Sequence, residues 1–600
     1  MPTLNWIGRE AVVEHHRQVP TRLLECDPQL SVGDPEAENL LVEGDNLEAL
    51  KALLPRYRGQ VKCIYIDPPY NTGNENWVYN DNVNDPRIKK WLGRVVGKEA
   101  EDLCRHDKWL CMMYPRLALL REFLREDGVL FVSIDDIEFG NLCAMLDEFF
   151  GRGNRIGTIV WEKGKKGDPR FLSVTHEYIA FYARSIEALK TQNVQFRVRK
   201  EGVDDVLQQY ARIRTSVQAS FTSEIHEFSE SVNPSMQQHH GIHAQIRREM
   251  QRWYRSLNSS DVRKKLKHYN WSDDRGLYFA DNFHGPDDGR ENRPRHDIPH
   301  PLTELSCAKP ATGWRWDQTR TQRALAETPP RIHFAATHET IPCRKTYLHE
   351  VDAEPFHSVF YKDGRAATRE LDEMLGRNAF PFPKDAKTIA KLISLVCGPD
   401  DIVLDSFAGA GTTGHATLLA NRDEKTSRKC VLVELDSSVA ELTTVPRLSK
   451  AVNGYRTTGA RNSTSSSVPG LGSGFRYCRL GRTLLDENGH VNGDVPFADL
   501  ARYVFLLETG VPVPKRPRKD CPLLGVHRGR AVYLLYNGVL GDRRPQGGNV
   551  LTRAVLNSLP PPPDGDGPRV IYGEACRLSD ATLESEQITF RQVPYALKEA

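Results

Sequence analysis

The stretch DIVLDSFAGAGTTGHATLLAN, residues 401–421, decides how this 600-residue chain folds. The apolar run DIVL predicts a short buried strand, and HATLLAN predicts the helix that follows it. The small residues between them allow a tight turn that brings backbone N–H groups close to a ligand at a helix N-terminus. No lysine follows the glycines, so the turn does not match the phosphate-binding GxxxxGK[ST] pattern. The sequence therefore indicates a strand–turn–helix unit that approaches a nucleotide-like ligand.

The turn and the strand after it supply the candidate ligand-binding residues. Those in the turn are Asp405, Phe407, Gly409, Gly411 and Thr412. The next apolar run, KCVLVELD, predicts a second buried strand that ends at Glu434. An acid at that place can bind both hydroxyls of a ribose, so the pair of features suits an adenosine-containing ligand. A tight turn with an incidental acid is the alternative.

A second motif, IYIDPPYN at residues 64–71, follows another predicted buried strand. Its two prolines hold the chain extended and remove two N–H donors, which leaves carbonyls free to accept. An amino group conjugated to an aromatic ring is a poor nucleophile, and the Asp67 carboxylate with the Pro68 carbonyl can accept hydrogen bonds from its two N–H groups. Pro69 completes the turn, and Tyr70 can stack on the ring that carries the amine. A proline-terminated strand without catalytic function is the alternative.

The segment Glu43-Gly44-Asp45-Asn46 ends the strand before this one. Asp45 is suited to cap the N-terminus of the following helix. In a parallel sheet it also lies at the same edge as the other two motifs, where it can receive the adenine amino group of a cofactor.

Strands and helices alternate from residue 39 onward, which predicts a parallel sheet covered on both faces. The runs TIVWEKG and HEYIAFYARS predict two further strands in an antiparallel edge. At about 150 residues per domain, the length suggests three or four units. The expected division is an N-terminal arm 1–38, a catalytic half 39–195, an inserted domain 196–375, a cofactor-binding half 376–451, a linker 452–474 and a C-terminal α/β domain 475–600.

The composition is that of a globular chain, with 39% hydrophobic and 27% charged residues. No run approaches the roughly 20 apolar residues that span a bilayer, and the first residues do not resemble a signal peptide, so a cytoplasmic location is expected. The 12 cysteines form no CxxC pair, which argues against a metal site or a disulfide framework.

Net charge is only +2, so any nucleic-acid contact has to come from a local cluster. Arg247, Arg248, Arg252 and Arg255 open a basic run in the inserted domain that also carries Trp253 and Tyr254. Such a run is either a solvated helix face or a surface that contacts phosphates.

DPPY combined with an FAGAGT turn resembles the amino-group DNA methyltransferases, which use S-adenosylmethionine. DPPY precedes the Gly-rich turn here, an order that resembles the β group and in particular the modification subunits of type III restriction–modification systems. Further matches are GDNLEAL at 44–50, HEYIAFYA at 176–183 and FPFPKD at 380–385, although the last departs from the family's HPxxKP-like segment. The resemblance implies a circularly permuted, Rossmann-like sheet of seven strands with an inserted target-recognition domain.

Carried over by position, the resemblance makes Asp67, Pro68, Pro69 and Tyr70 the catalytic tetrapeptide. It also assigns Lys384 to the cofactor site. The other cofactor-binding positions are Asp45, Asp405, Phe407, Gly409, Gly411, Thr412 and Glu434. It implies methyl transfer to the N6 amino group of adenine in duplex DNA after the base is flipped out. The implied partners are double-stranded DNA, a second copy of the chain in a homodimer and a separate restriction subunit, and no metal is implied.

Three alternatives remain at this stage. Asp rather than Ser before PPY favours adenine N6 over cytosine N4, although both amines need the same acceptors. A non-catalytic DNA-specificity subunit can retain the same scaffold, but both motifs are intact. A methyltransferase for RNA or for a protein glutamine is disfavoured by the large basic insertion.

Overall fold

The alternation of strands and helices builds a ten-stranded sheet. The computed structural model describes residues 4–34, 38–72, 98–164, 171–225, 235–287, 292–457, 466–486, 491–493, 495–536, 543–562 and 567–593. In chain order the strands of the sheet are β1 Arg22–Gly33, β2 Leu40–Glu43, β3 Val61–Ile66, β4 Leu124–Ile134, β5 Arg155–Glu162, β6 His176–Ala183, β7 Val359–Tyr361, β8 Ile402–Asp405, β9 Lys429–Glu434 and β10 Gly474–Thr483.

The sheet has the order β1-β10-β2-β9-β8-β3-β4-β6-β5-β7. Seven contiguous strands from β2 to β5 form its centre, and there only β6 runs antiparallel to its neighbours. The fold is therefore the expected Rossmann-like α/β sheet in permuted order, because β8 and β9 come late in the chain and lie between β2 and β3. Three further strands, β10, β1 and β7, extend the seven that were expected.

The central strands form from largely apolar segments whose side chains are buried on both faces of the sheet. All six residues of β3 are buried, as are the central residues of β9. Such continuous apolar runs are typical of parallel strands covered on both faces. The covering helices are Asn46–Tyr57, Lys98–Phe123, Phe139–Phe150, Ile186–Thr191, Arg365–Leu375, Ala386–Val396, Thr412–Glu424 and Val445–Asn453, with short helices at Arg9–Val12, His15–Gln18, Ser437–Val439 and Ala440–Thr444.

Contacts between residues divide the chain into two compact units, one of residues 1–195 and 357–600 and the other of residues 196–356. The second unit contains the helices Val203–Ile225, Ser235–Ser256 and Gln318–Ala326. Its four-stranded sheet consists of Trp271–Ser272, Leu277–Asp281, Ile332–His333 and Cys343–Tyr347, and Arg197–Arg199 pairs with Ala353–Pro355. Short helices lie at Val262–Leu266 and Leu348–Glu350.

The inserted unit ends earlier than the expected boundary at residue 375. The strand β7 pairs in parallel with β5, and the helix Arg365–Leu375 also belongs to the first unit. The β7 strand has only three residues, and its exposed outer positions give no apolar pattern that a sequence could reveal.

The expected N-terminal arm of residues 1–38 contains a strand of the main sheet. Residues 22–33 form β1, which pairs antiparallel with β10. None of its residues is fully buried, so this edge strand lacks the alternation of apolar and polar residues that identifies a strand. The cysteine pattern argued against a disulfide framework, and it did not reveal the disulfide that joins Cys26 and Cys478 across this strand pair.

The predicted linker and C-terminal domain also have different boundaries. The end of the helix Val445–Asn453 and a hairpin of Gly454–Arg456 with Ser467–Pro469 lie within residues 452–474, of which residues 458–465 are outside the described part. The strand β10 belongs to the main sheet. The remaining tail is an α/β assembly of the helices Phe497–Thr509, Arg553–Ser558 and Asp580–Ser585, the four strands Leu523–His527, Arg530–Leu534, Arg569–Gly573 and Ile588–Gln592, and the pair Val550–Leu551 with Ala575–Cys576.

No helix of the described residues has the length and apolar character needed to cross a membrane. The described residues also contain no group of three or more His, Cys, Asp or Glu side chains arranged to hold a metal ion.

Candidate active site at the carboxyl edge of the sheet

The predicted motifs meet at one edge of the sheet. The strands β2, β9, β8 and β3 are consecutive, parallel neighbours. One of the predicted segments lies at the carboxyl end of each strand: Asp45 after β2, Glu434 as the last residue of β9, the loop 405–412 at the end of β8 and the turn 67–70 after β3. The carboxyl edge of an open parallel sheet is where ligands bind in this class of fold.

Two glycines give the loop after β8 its shape. Gly409 and Gly411 have φ angles of 48° and 73°, in the left-handed region that side chains other than glycine rarely adopt. A Cβ atom on Gly411 would lie 2.9 Å from Cγ2 of Thr444, and one on Gly409 would lie 3.2 Å from Cζ of Phe380. The loop therefore needs glycine both for its backbone conformation and for its packing against the protein.

Asp405 braces this loop from inside. One carboxylate oxygen accepts the Phe407 N–H at 2.9 Å, and the other accepts the Thr413 hydroxyl at 2.5 Å. Asp405 is 2% exposed, and burial raises the pKa of its carboxyl group to about 7. The buried Phe407 packs into the core beneath the loop. Asp405 therefore shapes the loop through hydrogen bonds within the protein.

Glu434 joins the end of β9 to the same loop. Its Oε2 accepts the Gly409 N–H at 2.7 Å, and its Oε1 accepts the Asp436 N–H at 3.0 Å. Burial raises the pKa of the Glu434 carboxyl group, while the backbone N–H donors act in the opposite direction. Each carboxylate oxygen has a further lone pair that can accept a hydroxyl group of a ligand.

Thr412 begins the helix after the loop. Its hydroxyl oxygen accepts a hydrogen bond of 2.8 Å from Nη1 of Arg447, which is 1% exposed and also donates to the Ala410 carbonyl. The helix Val445–Asn453 thus supports the loop through a buried guanidinium.

Asp45 has the role of a helix cap. Its Oδ1 accepts the N–H groups of Leu47 and Glu48 at 2.9 and 3.2 Å, and its Oδ2 pairs with the buried Arg116 at 3.2 Å. Asn46 donates to the Ser406 carbonyl at 3.2 Å, which ties this turn to the Gly-rich loop. The capping function is therefore present, and contact of Asp45 with a ligand remains a prediction.

Lys384 lies against the DPPY turn. Its ammonium nitrogen is 2.8 Å from Asp67 Oδ1 and 2.7 Å from the Tyr70 hydroxyl. Lys384 is 7% exposed; burial acts to lower the pKa of its amine, but the carboxylates of Asp67 and Glu177 outweigh burial and raise that pKa. The sequence assigned Lys384 to the cofactor site, whereas the structure pairs it with the predicted catalytic acid.

Glu177 and Lys163 complete this cluster, and sequence analysis did not identify either as a site residue. Glu177 Oε2 accepts the Tyr70 hydroxyl at 3.1 Å and lies 2.6 Å from Nζ of Lys163. Burial acts to raise the pKa of Glu177, but the two lysines lower it overall. The available signal was a carboxylate at the second position of HEYIAFYA, an otherwise largely apolar strand.

The cluster can orient a carboxylate and an aromatic ring together. Lys384 holds one oxygen of Asp67, which leaves the second oxygen to accept an N–H from an amine. Burial raises the pKa of the Tyr70 phenol well above its ordinary value, so the group remains protonated and donates to Glu177. Tyr70 is thereby held beside Asp67, where its ring can contact a planar ligand.

The four predicted DNA-binding arginines lie on the helix Ser235–Ser256 of the second unit. Arg248, Arg252 and Arg255 are exposed, and Arg252 pairs with Glu249 at 2.9 Å. Arg247 differs because its guanidinium lies 3.2 Å above the ring of Trp271. Arg247 therefore belongs to the packing of this unit, and three arginines remain as candidates for phosphate contact.

The sequence matches the model of a protein family described as DNA methylase over residues 61–444. It is 32% identical over 448 residues to the type III restriction-modification enzyme EcoP15I Mod subunit of Escherichia coli, covering 72% of this chain and 64% of that protein. It is 28% identical to the EcoPI Mod subunit of Escherichia phage P1, covering 73% of this chain and 64% of that protein. The matched part thus spans less than two thirds of the length of these two relatives.

Solved structures also align with the chain. The PvuII DNA methyltransferase (cytosine-N4-specific) aligns with a TM-score of 0.30 at 11% identity, over 71% of this chain and 89% of that one. A DNA modification methylase of Thermus thermophilus, complexed with S-adenosyl-L-methionine, aligns with a TM-score of 0.26 at 12% identity, over 69% and 93% of the two chains. Because these TM-scores are low, the fold assignment rests on the strand order of the sheet.

The raised pKa of Asp405 predicts a pH-dependent stability. The unfolded carboxyl group titrates near pH 3.9, whereas the folded one titrates at a pKa of about 7, so folding takes up a proton between these values. The free energy of unfolding should therefore fall as pH rises through this window, by at most about 1.4 kcal/mol per pH unit, and level off above pH 7. Asp405→Asn cannot ionise, so its stability relative to wild type should rise between pH 5 and pH 7 in urea unfolding.

Asp423→Asn is the matched control, because Asp423 is an exposed carboxylate on the helix that follows the same loop. Its stability relative to wild type should not change across this pH range. If the difference in the free energy of unfolding between Asp405→Asn and wild type were also independent of pH from pH 5 to pH 7, Asp405 would be ionised over this whole range.

Proposed function

The chain belongs to the DNA methylase family, and from this membership and the geometry of the edge we propose that it transfers a methyl group from S-adenosylmethionine to an amino group of a base in duplex DNA. The observation that carries the proposal is the cluster of Asp67, Tyr70 and Lys384 beside the Gly-rich loop on the neighbouring strand. The carboxylate, held in place by a lysine, can accept a hydrogen bond from an exocyclic amine, and the aromatic ring beside it can stack on the base that carries the amine.

The amine is held by acceptors in this proposal. Asp67 accepts one N–H through the oxygen that Lys384 does not hold, and the Pro68 carbonyl accepts the other. The two hydrogen bonds aim the nitrogen lone pair at the methyl group and raise its nucleophilicity, which is mainly an effect of positioning. The ion pair with Lys384, at 2.8 Å, fixes the position of the Asp67 carboxylate at the end of β3.

The loop and its neighbours suit S-adenosylmethionine as the cofactor. This cofactor supplies an electrophilic methyl group on a positively charged sulfur. The left-handed glycines keep side chains away from the loop surface, and Glu434 presents lone pairs at the strand end where a ribose binds. Asp45 follows β2, the strand next to β9 at the same edge, where it can contact the adenine ring of the cofactor.

The target is proposed to be adenine N6. The support is Asp67, which precedes PPY. In the family that this chain resembles, Asp at this position favours adenine N6 as the target. A base stacked inside a duplex cannot reach Asp67, so the base must be flipped out at a cost of a few kcal/mol. Tyr70 is then the stacking partner of the flipped ring.

The unit of residues 196–356 is proposed to recognise the DNA sequence. Its helix Ser235–Ser256 carries Arg248, Arg252 and Arg255 at exposed positions, which suits contact with phosphates. By analogy with the Mod relatives, whose names assign them to type III restriction-modification enzymes, we propose a separate restriction subunit and a second copy of this chain as partners.

Methylation-aware sequencing of DNA from cells that express the chain tests this function directly. Methylated adenine at one short sequence is expected, and it should be absent when Asp67→Asn is expressed. Methylation at cytosine N4 would change the target base while retaining the activity. Cofactor binding by the purified protein without methyl transfer to any DNA would support a non-catalytic specificity subunit.

Asp67→Asn should lower the rate of methyl transfer by at least about 100-fold, because a positioned acceptor typically contributes several kcal/mol to transition-state stabilisation. Cofactor affinity, measured by calorimetry, should stay within about threefold of wild type. Asp127→Asn is the matched control, since Asp127 also pairs with a buried lysine, Lys62, at 2.8 Å, but near the opposite end of β3. Near-normal turnover in Asp67→Asn would exclude the proposed role.

Gly411→Ala should weaken cofactor binding by about tenfold or more. The added Cβ meets Thr444 at 2.9 Å and the left-handed backbone costs on the order of 1–3 kcal/mol, so the loop must shift. Calorimetry with S-adenosylmethionine measures the effect, and Gly140→Ala, where a Cβ meets no atom within 4 Å, is the control. Unchanged affinity in folded Gly411→Ala would mean that the cofactor does not contact this loop.

Charge reversal of Arg248, Arg252 and Arg255 to Glu should weaken DNA binding for all sequences. Each lost phosphate contact should reduce the slope of log K against log salt by about one. Reversal of the exposed Arg518, Arg530 and Arg553 in the C-terminal part makes the same change in net charge and should leave the slope unchanged. Equal slopes in the two triple variants would identify the helix as a solvated face.

A further inference from the structure

The turn after β3 is held on its inner side by residues that no motif includes. The helix Lys98–Phe123 places Trp109 so that its indole N–H donates to the Pro69 carbonyl at 2.7 Å. Trp109 is completely buried, so water cannot replace this hydrogen bond without opening the core. One of the two proline carbonyls is thus already bound by the protein.

The residue after Tyr70 forms a second anchor. Asn71 has a φ of 64° and is completely buried, so its left-handed backbone has to be held by its surroundings. Its side-chain amide donates to Glu138 Oε1 and lies 3.4 Å from the Arg105 carbonyl. The chain is therefore fixed on both sides of Tyr70, at Pro69 and at Asn71.

Glu138 is itself constrained by several partners. It is completely buried, its Oε1 lies 2.6 Å from Nδ1 of His106, and its Oε2 accepts Nδ2 of Asn141 at 2.7 Å. Its backbone carbonyl accepts the Leu142 N–H at the start of the helix Phe139–Phe150. A carboxylate with partners from three elements has little freedom to move, which makes it a firm support for Asn71.

The Pro68 carbonyl contrasts with that of Pro69. Among the described residues, no N–H or O–H group donates to the Pro68 oxygen, whereas Trp109 occupies the Pro69 oxygen. Because the indole holds the carbonyl of the peptide between Pro69 and Tyr70, rotation of the turn is restricted. Of the two carbonyls, that of Pro69 is therefore occupied by the indole.

We propose that Trp109 and Glu138 are positioning residues that hold the turn so that the Pro68 carbonyl accepts the target amine. This inference rests on the proposed methyl transfer and deepens it, since neither side chain touches the substrate. Trp109 acts through Pro69, and Glu138 acts through Asn71. A displacement of the turn by a fraction of an ångström would misalign the nitrogen with the methyl group.

Trp109→Phe tests the first anchor, because phenylalanine retains an aromatic ring and removes only the N–H donor and part of the ring system. The expected result is a kcat lowered by about 10-fold to 100-fold, with KM values for S-adenosylmethionine and for DNA within about twofold of wild type. Trp6→Phe is the matched control. Trp6 is also buried and donates its indole N–H to the same helix, at Cys111, and among the described residues it makes no hydrogen bond to the turn.

Glu138→Gln tests the second anchor. The amide oxygen of glutamine can still accept from Asn71, so this variant should keep kcat within about threefold of wild type, whereas Glu138→Leu should lose at least about tenfold. Should Glu138→Leu fail to fold, the Trp109→Phe measurement and thermal melting of both tryptophan variants decide the question.

The outcomes separate this inference from the function on which it rests. If the wild-type protein methylates no DNA, the proposed function fails and the inference fails with it. If the wild type is active and Trp109→Phe has the same kcat, the inference alone is overturned. The inference would also be overturned if kcat fell equally in Trp109→Phe and Trp6→Phe and the fall followed their melting temperatures. A general loss of stability would then be the cause.

Discussion

The ion pair between Lys384 and Asp67 is the interaction on which the rest of the site depends. It joins the turn after β3 to the segment that precedes the helix Ala386–Val396, on the other side of the inserted unit in the sequence. Lys384 is buried, and burial of its charge without partners would be costly; the carboxylates of Asp67 and Glu177 supply them. The same ammonium group contacts the Tyr70 hydroxyl and lies 3.5 Å from Glu177, so one cation sets the positions of the acid and the aromatic ring together.

Sequence reasoning predicted the parts of this arrangement that are local. The strand β3, the Gly-rich loop after β8 and the acid at the end of β9 are each visible as an apolar run followed by a turn with distinctive residues. Parallel strands bring their carboxyl ends to one edge, so the meeting of these segments also follows from the pattern. The permuted order of the seven central strands, by contrast, was implied by the resemblance to the DNA methyltransferases and not by the apolar runs.

The parts that sequence reasoning missed depend on contacts between distant segments. The edge strand β1 is recognisable only by its partner β10, because its own residues are polar and partly exposed. Glu177 and Trp109 lie in a strand and a helix whose apolar composition is explained by burial alone. Nothing in that composition shows that one side chain reaches Tyr70 and the other reaches Pro69.

Three aspartates at the same edge show why residue type does not determine role. Lys384 pairs with one oxygen of Asp67, and the other oxygen can accept a hydrogen bond from an amine. Asp405 is buried without a cation, so its pKa rises to about 7 and its oxygens are used to brace the loop. Asp45 caps a helix and pairs with Arg116. All three lie at the carboxyl ends of strands, as the sequence predicted, but their partners differ: backbone N–H groups and an arginine occupy Asp45, the loop occupies both oxygens of Asp405, and a lysine pairs with one oxygen of Asp67. These partners come from other parts of the chain, so the residue type alone does not determine the role.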